Sequence, residues 1–300
     1  MEIFLKAILL DNQLHSFLKG RIQFKKNTLM PDSFDLALDI GNSTLGGAFF
    51  QEELLIETFH LPVHPLKEKD LDPYIQNKSI SQVIIGSDNI AAGLTCLRYF
   101  QAKNIPVFEV DSENLSLILD VEKPSEVGND RIANSYGGLF AHPNTDLIIV
   151  DMGTALAFDV VARERRFLGG AIAPGLHIAA KALSEFTDKL PLVEIEKPKS
   201  CLSKSTIGNI QSGVYYGMIG TIEKIVSEIK NIHFGQGNVL VIATGSLANP
   251  AEAEADSSIF AKLRSDLEKD LKTTIDYFEP DLTFFGLHEI LKEKANGKRT

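Results

Sequence analysis

Short apolar runs broken by polar turns recur along this chain, and they alternate with longer stretches of helical spacing. Leu36-Ala-Leu-Asp-Ile40 is a compact apolar run that ends in a Gly-rich turn, and Gly47–Phe50 and Leu54–Phe59 follow close behind. Strands at such short spacing predict an antiparallel meander. Residues 61–81 are polar and carry Pro62, Pro65 and Pro73, which predicts loops and one short helix. Gln82–Ser87 reads as a buried strand, Asn89–Gln101 as a helix, Ile105–Val110 as another strand and Asn129–His142 as a helix rich in small residues.

The pattern then restarts. Asp146-Leu-Ile-Ile-Val-Asp151 is again an apolar strand ending in Asp and a Gly turn, followed by strands at Ala155–Val161 and Phe167–Ile172. Helices are predicted over Pro174–Phe186, about Ser205–Ile229, Ser258–Lys269 and Leu287–Lys294, with a strand at Val239–Ala243. A strand–Asp–x–Gly turn followed by a meander and helix–strand units therefore occurs twice, beginning near residues 36 and 147. That repetition predicts an internally duplicated α/β protein. Its domains are expected at 34–145 and 146–300, with a ligand cleft between the lobes.

Composition narrows the classes. The 300 residues are 44% hydrophobic and 23% charged, ordinary for a chain that buries a core. The formal net charge of −10 argues against nucleic acid and anionic membranes as partners, since both need a cationic face. No apolar run reaches the ~18 residues of a membrane span. Cys96 and Cys201 lie in no CxxC pair, which fits a reduced, cytoplasmic protein. The seven histidines show no metal-ligand spacing. Residues 1–33 put an apolar stretch (Ile3–Leu10) before a basic patch (Lys19, Arg21, Lys25, Lys26), the reverse of a signal peptide. They are expected to be a poorly ordered extension outside the core fold, and Met30 is an alternative start.

The two turns carry the first candidate chemistry. In Asp39-Ile-Gly-Asn-Ser-Thr-Leu-Gly46 and Asp151-Met-Gly-Thr-Ala155, Gly41 and Gly153 are expected to turn the chain sharply with backbone N–H groups exposed. Those N–H groups, with the hydroxyls of Ser43, Thr44 and Thr154, suit phosphate oxygens. Asp39 and Asp151 would repel phosphate unless a cation intervened, and Mg²⁺ suits them. Neither turn is a Walker A loop or a GxGxxG.

Glu126-Val-Gly-Asn-Asp-Arg-Ile-Ala-Asn134 opens a helix with Asp130 and Arg131 in its first turn. Asp130 near a γ-phosphate would orient a hydroxyl and accept its proton, and Arg131 would pair with a substrate carboxylate. The plainer alternative has Asp130 helping to cap the helix and Arg131 in a surface salt bridge. The Gly169-Gly170 and Pro174-Gly175 pairs either shape a substrate wall or make strand-to-helix turns. His177 is expected at the surface, and Tyr215 and Tyr216 in the core or an interface.

These motifs, in order, resemble the type III pantothenate kinases: the Asp39 turn, Gly128-Asn-Asp-Arg131, Asp151-Met-Gly-Thr-Ala155 and Leu168-Gly-Gly-Ala-Ile-Ala-Pro-Gly175. Leu190-Pro191, Ser205-Thr206 with Gln211-Ser-Gly213, Ala243-Thr-Gly245 and Pro280-Asp-Leu-Thr-Phe-Phe-Gly-Leu287 complete the set, so the resemblance covers about residues 35–290. It implies the duplicated ribonuclease-H-like lobes of the acetate and sugar kinase, Hsp70 and actin superfamily. It also implies ATP-dependent phosphorylation of pantothenate to 4'-phosphopantothenate, the first step of coenzyme A biosynthesis.

By that resemblance Asp39, Ile40, Gly41, Asn42, Ser43, Thr44, Leu45 and Gly46 hold ATP phosphates and Mg²⁺, and Thr154 contacts ATP. Gly128, Asn129, Asp130, Arg131 and Thr206 bind pantothenate, with Asp130 as the base. Asp151 helps bind a monovalent cation, K⁺ or NH₄⁺, and Thr244 and Gly245 lie near the nucleotide. A homodimer is implied, with the pantothenate pocket near its interface. The sequence departs from the family's pattern at Asn129, where Ala is frequent, and at Asp120 or Val121, where a family Tyr is missing. Rival expectations are a kinase of the same fold for another small molecule, and a nucleotide-binding regulatory protein with lost or altered activity.

Overall fold

A computed structural model describes residues 33–63, 65–235, 237–248 and 257–297 of the chain. The expected N-terminal extension lies outside these residues, apart from Ser33. The described residues form two compact units. One runs to Val110 and resumes at Leu291; the other is Asp111–Ile290.

The first unit is built on a sheet of β1 (Phe34–Ile40), β2 (Thr44–Gln51), β3 (Leu54–Pro62), β4 (Ile80–Ser87) and β5 (Val107–Glu109), in the order β3-β2-β1-β4-β5. The first three strands form the expected antiparallel meander, with Leu38 opposite Gly47 and Ala48 opposite Thr58. β4 then returns beside β1 in parallel, and β5 beside β4. Parallel neighbours need a crossover. The short helix α1 (Asp72–Ile75) lies in the first of these and α2 (Ile90–Ala102) forms the second, with Asn89 Oδ1 accepting from the Ala92 N–H to cap α2. Alternate residues Leu36, Leu38 and Ile40 pack with Phe49, Val83, Ile85 and the Cys96, Tyr99 and Phe100 face of the helix. Ala37 and Ile84, on the other face, are equally buried, which is why these strands read as continuous apolar runs.

The second unit repeats this plan. β7 (Asp146–Met152), β8 (Ala155–Ala162) and β9 (Arg166–Pro174) form a meander. β10 (Val239–Thr244) lies parallel beside β7, and β11 (Tyr277–Phe278) beside β10. The order β9-β8-β7-β10-β11 reproduces that of the first sheet, and a two-residue strand, β6 (Ile118–Leu119), adds an edge beside β9. The matching strand orders bear out the expected duplication of a ribonuclease-H-like fold. Helices α4 (Leu176–Glu185), α5 (Thr206–Ile229) and α6 (Ser257–Leu271) belong to the layer on one face, where Ile148, Val150, Met152 and Phe158 meet Tyr215, Met218, Ile222 and Leu267.

Helix α3 (Asn129–Ala141) covers the opposite face, with Gly138 against the side chains of Leu147 and Ile149. Its packing on the second sheet puts the start of the second unit at Asp111, ahead of residue 146 where the pattern restarts. Helix α7 (Leu282–Gly297) begins five residues earlier than its periodicity indicates, because Pro280-Asp281 starts it directly after β11. β6 and β11 are too short to leave a period-two pattern. Both cysteines are free thiols, with Cys96 buried and Cys201 exposed. Burial pushes the Cys96 thiol up to about 12, so it packs as an inert apolar group. No helix among the described residues is long and apolar enough to cross a membrane.

α3 and α7 approach until their backbones touch. A Cβ on Gly286 would lie 1.7 Å from the Ala133 carbonyl oxygen, and one on Gly137 would lie 2.2 Å from that of Leu282. Backbone atoms in packed helices cannot retreat as a flexible side chain does. Gly286→Ala is therefore expected to destabilise by about 2 kcal/mol or more, despite the better helix propensity of Ala. Urea denaturation of the two proteins measures this.

Candidate active site

In an open sheet with parallel strands, ligands gather at the carboxyl ends of those strands. Here those ends are rich in carboxylates. β1 ends beside Asp39, β7 at Asp151-Met152, β10 at Thr244 and β11 just before Glu279.

In the first unit, Asp39 is half-buried, opposite Gly46 and Gly86 on the neighbouring strands, and Ile40 and Leu45 are buried in the core. Asn42, Ser43 and Thr44 are exposed at the turn. The Gly41 N–H donates to the Thr44 carbonyl at 3.0 Å, and in the second turn the Gly153 N–H donates to the Ala155 carbonyl at 3.1 Å. The N–H groups of the two glycines themselves stay inside the turns. Each closes its own turn, which leaves the exposed Ser43, Thr44 and Thr154 as the outward-facing polar groups. Neither glycine adopts a positive φ. A Cβ on Gly153 would make a tight contact with Asp151 Oδ1, at 3.3 Å.

The second unit assembles a denser site around α3. Gly128 is the N-cap, without a side-chain cap, so Asp130 falls in the first turn as a half-buried residue. Its Oδ1 accepts from the Arg131 N–H at 2.6 Å. Arg131 Nε and Nη2 both donate to Asp159 Oδ1 on β8, at 2.7 and 2.5 Å. The guanidinium carbon lies 5.2 Å from the centre of the Phe167 ring on β9. Arg131 is 17% exposed and Asp159 0%, so the pair is not the surface salt bridge of the plainer expectation; Gly128 is the N-cap residue, and Asp130 helps by accepting the first-turn N–H of Arg131.

Three residues further along the same helix, fully buried Asn134 donates from Nδ2 to Asp151 Oδ2 at 2.9 Å and accepts at Oδ1 from the Thr283 hydroxyl at 2.7 Å. Residues three apart share a helix face. Arg131 and Asn134 thus bring one stripe of α3 onto two aspartates of adjacent strands. Asp151 Oδ1 faces backbone: a Cβ on Gly245, whose φ is +93°, would lie 2.2 Å from it.

The Gly169-Gly170 and Pro174-Gly175 pairs separate into two roles. Gly169 and Gly170 lie within β9 beside a register shift opposite Asp159–Val161, and a Cβ on Gly170 would collide with the Phe158 carbonyl. Gly169 has φ +90° and faces the Val121 side chain. Pro174-Gly175 is the strand-to-helix turn, and the Gly175 N–H donates to the Thr154 carbonyl at 3.2 Å. Thr206, the first residue of α5, lines an apolar cavity of about 690 Å³ together with Ala173, Pro174, Leu183, Ile210 and Met218. Pro174 pairs with Ala155, which places that cavity beside the Thr154 turn. Thr206 itself makes no hydrogen bond to Asp130 or Arg131 among the described residues. His177 is exposed, Tyr215 is buried in the core with its hydroxyl on Asp270, and Tyr216 is half-buried.

Pattern reasoning missed Asp159, Asn134, Thr283 and Glu279. For Asp159 a signal existed: it is the lone charge inside the buried run Ala155–Val161, where an unpaired carboxylate would be costly. Burial pushes its carboxyl up to about 6, opposed by Arg131 and reinforced by Asp130. Thr244 Oγ1, fully buried at the end of β10, has no hydrogen-bond partner among the described residues.

Comparison with known proteins follows the same lines. Residues 35–228 match the family described as type III pantothenate kinase. The type III pantothenate kinase of Legionella pneumophila (strain Corby) is 34% identical over 227 residues, covering 71% of this chain and 88% of that one. That of Geotalea daltonii is 36% identical over 231 residues, covering 71% and 87%. That of Caulobacter vibrioides is 35% identical over 239 residues, covering 78% and 80%. Among solved structures, a conserved Baf family protein of Campylobacter jejuni, named as a transcriptional activator, shares the fold with a TM-score of 0.52 at 19% identity, covering 87% of this chain and 99% of that one.

Glu279 supplies a pH test. Burial, with Asp281 nearby, pushes its carboxyl from the ordinary 4.5 up to about 7. Between those values the folded protein holds a proton that the unfolded chain has released, so stability falls as pH rises through this window. Glu279→Gln removes that loss. The variant is expected to melt close to the parent at pH 5 and a few degrees above it at pH 8, read by circular dichroism.

Proposed function

The chain belongs to the type III pantothenate kinase family and is a pantothenate kinase, acting at the first step of coenzyme A biosynthesis, and on that premise we propose how its residues divide the reaction. Pantothenate binds along Gly128–Arg131 at the amino end of α3, with Thr206 as a further contact. Asp130 accepts the proton of the substrate's primary hydroxyl as that oxygen attacks the γ-phosphorus of ATP. A new O–P bond forms, the bond from the γ-phosphorus to the bridging oxygen breaks, and ADP leaves. Little covalent work falls to the protein in such a transfer, so positioning and charge carry the catalysis.

What supports this reading most is the polar stripe of α3. It holds Arg131 and Asn134 on two buried or half-buried aspartates and leaves Asp130 in the first turn, where the helix dipole favours negative charge. In the first unit, Asp39 through Gly46 is proposed to hold the ATP phosphates through its exposed hydroxyls. In the second, Thr154 is proposed to contact ATP, with Thr244 and Gly245 near the nucleotide.

The donor set fits hard cations. Asp39, Asp151 and the threonine hydroxyls offer oxygen ligands only, and Thr244 Oγ1 is a buried hydroxyl in want of a partner. Asp39 would hold Mg²⁺ together with the phosphates, and Asp151 a monovalent cation, K⁺ or NH₄⁺. Bound there, these ions would neutralise charge that builds on the phosphoryl oxygens.

The protein is further proposed to act in the cytoplasm as a homodimer. Supporting the dimer, Ile172, Ile178 and Ile207 are exposed on the three elements that wall the apolar cavity. Gly213, Gly217 and Gly220 leave open space along one helix, α5. Light scattering is expected to report about twice the 33.0 kDa chain mass.

Coupled ADP release tests the chemistry. Pantothenate-dependent release, stimulated by K⁺, is expected in the presence of ATP and Mg²⁺. Asp130→Asn is expected to lower kcat by at least about 100-fold while nucleotide binding persists. Near-normal turnover in that variant removes Asp130 from the proton transfer. No turnover in the parent, with ATP binding intact, would favour a regulatory protein.

A further inference from the structure

We propose that Asp159 is a positioning residue for the acceptor substrate: its buried carboxylate fixes the plane and rotation of the Arg131 guanidinium, so that the guanidinium's remaining N–H edge is held ready for the substrate's carboxylate. The proposal rests on the reading of Arg131 as a substrate-binding residue.

The guanidinium is held by Asp159 and Phe167, and the residue's backbone by Asp130. Nε and Nη2 both donate to the same oxygen, Asp159 Oδ1, at 2.7 and 2.5 Å. The face of the cation lies over Phe167, 5.2 Å from the ring centre. The backbone N–H of Arg131 is tied to Asp130 Oδ1 at 2.6 Å. A guanidinium is a rigid planar fork of five donors, so two bonds along one edge determine where the rest point. The Nη1 side is the edge not used by this pair, and the side chain keeps 17% of its surface open.

The clamp is itself immobile. Asp159 sits in the middle of β8, paired to Ile149 on one side and Gly170 on the other. It has no exposed surface at all. Its second oxygen, Oδ2, is buried without a hydrogen-bond partner among the described residues. An apolar side chain would fill such a place at lower cost, because desolvating a charge pair commonly outweighs its attraction. What the carboxylate adds is orientation. A bidentate arginine–carboxylate contact depends strongly on angle, and an arginine that enters it already fixed loses less freedom on binding. Sealed from solvent, Asp159 meets the acceptor by way of Arg131.

The test compares pantothenate with its analogue in which the carboxylate is replaced by a primary alcohol, in initial-rate kinetics on the full-length protein. For Asp159→Asn the KM for pantothenate is expected to rise about tenfold or more, with kcat less affected and the KM for ATP within about twofold. The preference for the carboxylate over the alcohol should shrink in parallel. Phe167→Leu, which leaves the buried charges paired, is expected to move the same preference in the same direction by less, and it decides the matter alone if Asp159→Asn does not fold. Both variants keeping the parental preference, while Arg131→Met loses it, would overturn the proposal and leave Asp159 a packing residue. If Arg131→Met also keeps the parental preference, the assignment of Arg131 to the substrate carboxylate fails, and the role of Asp159 falls with it.

Discussion

A carboxylate sealed from water has to be met by a cation or give up its charge, and in this protein the sealed carboxylate is Asp159. Arg131 meets it. That one contact fixes the rotation of α3 about its axis, since the next polar residue on the same stripe, Asn134, then falls on Asp151. The close crossing of α3 with α7 through Gly137 and Gly286 fixes the helix's depth, and Thr283, at the start of α7, orients the amide of Asn134. Rotation and depth together place Asp130 at the start of the helix, over the carboxyl end of the second sheet.

The duplicated fold explains why acidic turns occur twice. In each unit a meander is followed by parallel strands, and parallel strands present their carboxyl ends together. A turn at such an end brings hydroxyls and a carboxylate together, as at Asp39 with Ser43 and Thr44 and at Asp151 with Thr154. The units differ in what has been added to the common plan. Only the second carries a helix whose first turn holds Asp130 and Arg131, and only the second has its sheet extended by β6, which brings Val121 against Gly169.

Membership of the type III pantothenate kinase family and likeness to the Campylobacter Baf protein carry different weight. The first rests on about a third of positions being identical across most of the relatives' length. The second shows a shared fold. Fold alone does not select a reaction, because the site residues do that. In this chain the residues expected to do so, from Asp39 through Asp130 and Asp151, are all present at the ends of elements that can present them.

By itself the sequence determined the strand–turn–meander repeat, the long helices and the acidic turns, because these depend on hydrophobic period and on local turn chemistry. The phosphate-binding candidates Asp39–Gly46 and Thr154 were legible for the same reason. So was the pair Asp130-Arg131 at a helix start. Tertiary structure decided the partners. Arg131 and Asp159 are 28 residues apart and Asn134 and Thr283 are 149 apart, and no local pattern joins them. It also decided where the N–H groups of Gly41 and Gly153 go, since each bonds a carbonyl inside its own turn. Two-residue strands such as β6 and β11 became strands only through their neighbours, because two residues span a single period of alternation and show no repeat. Pairing in a sheet and burial of a charge are both properties of two distant segments meeting, and a single segment carries no trace of the one it will meet.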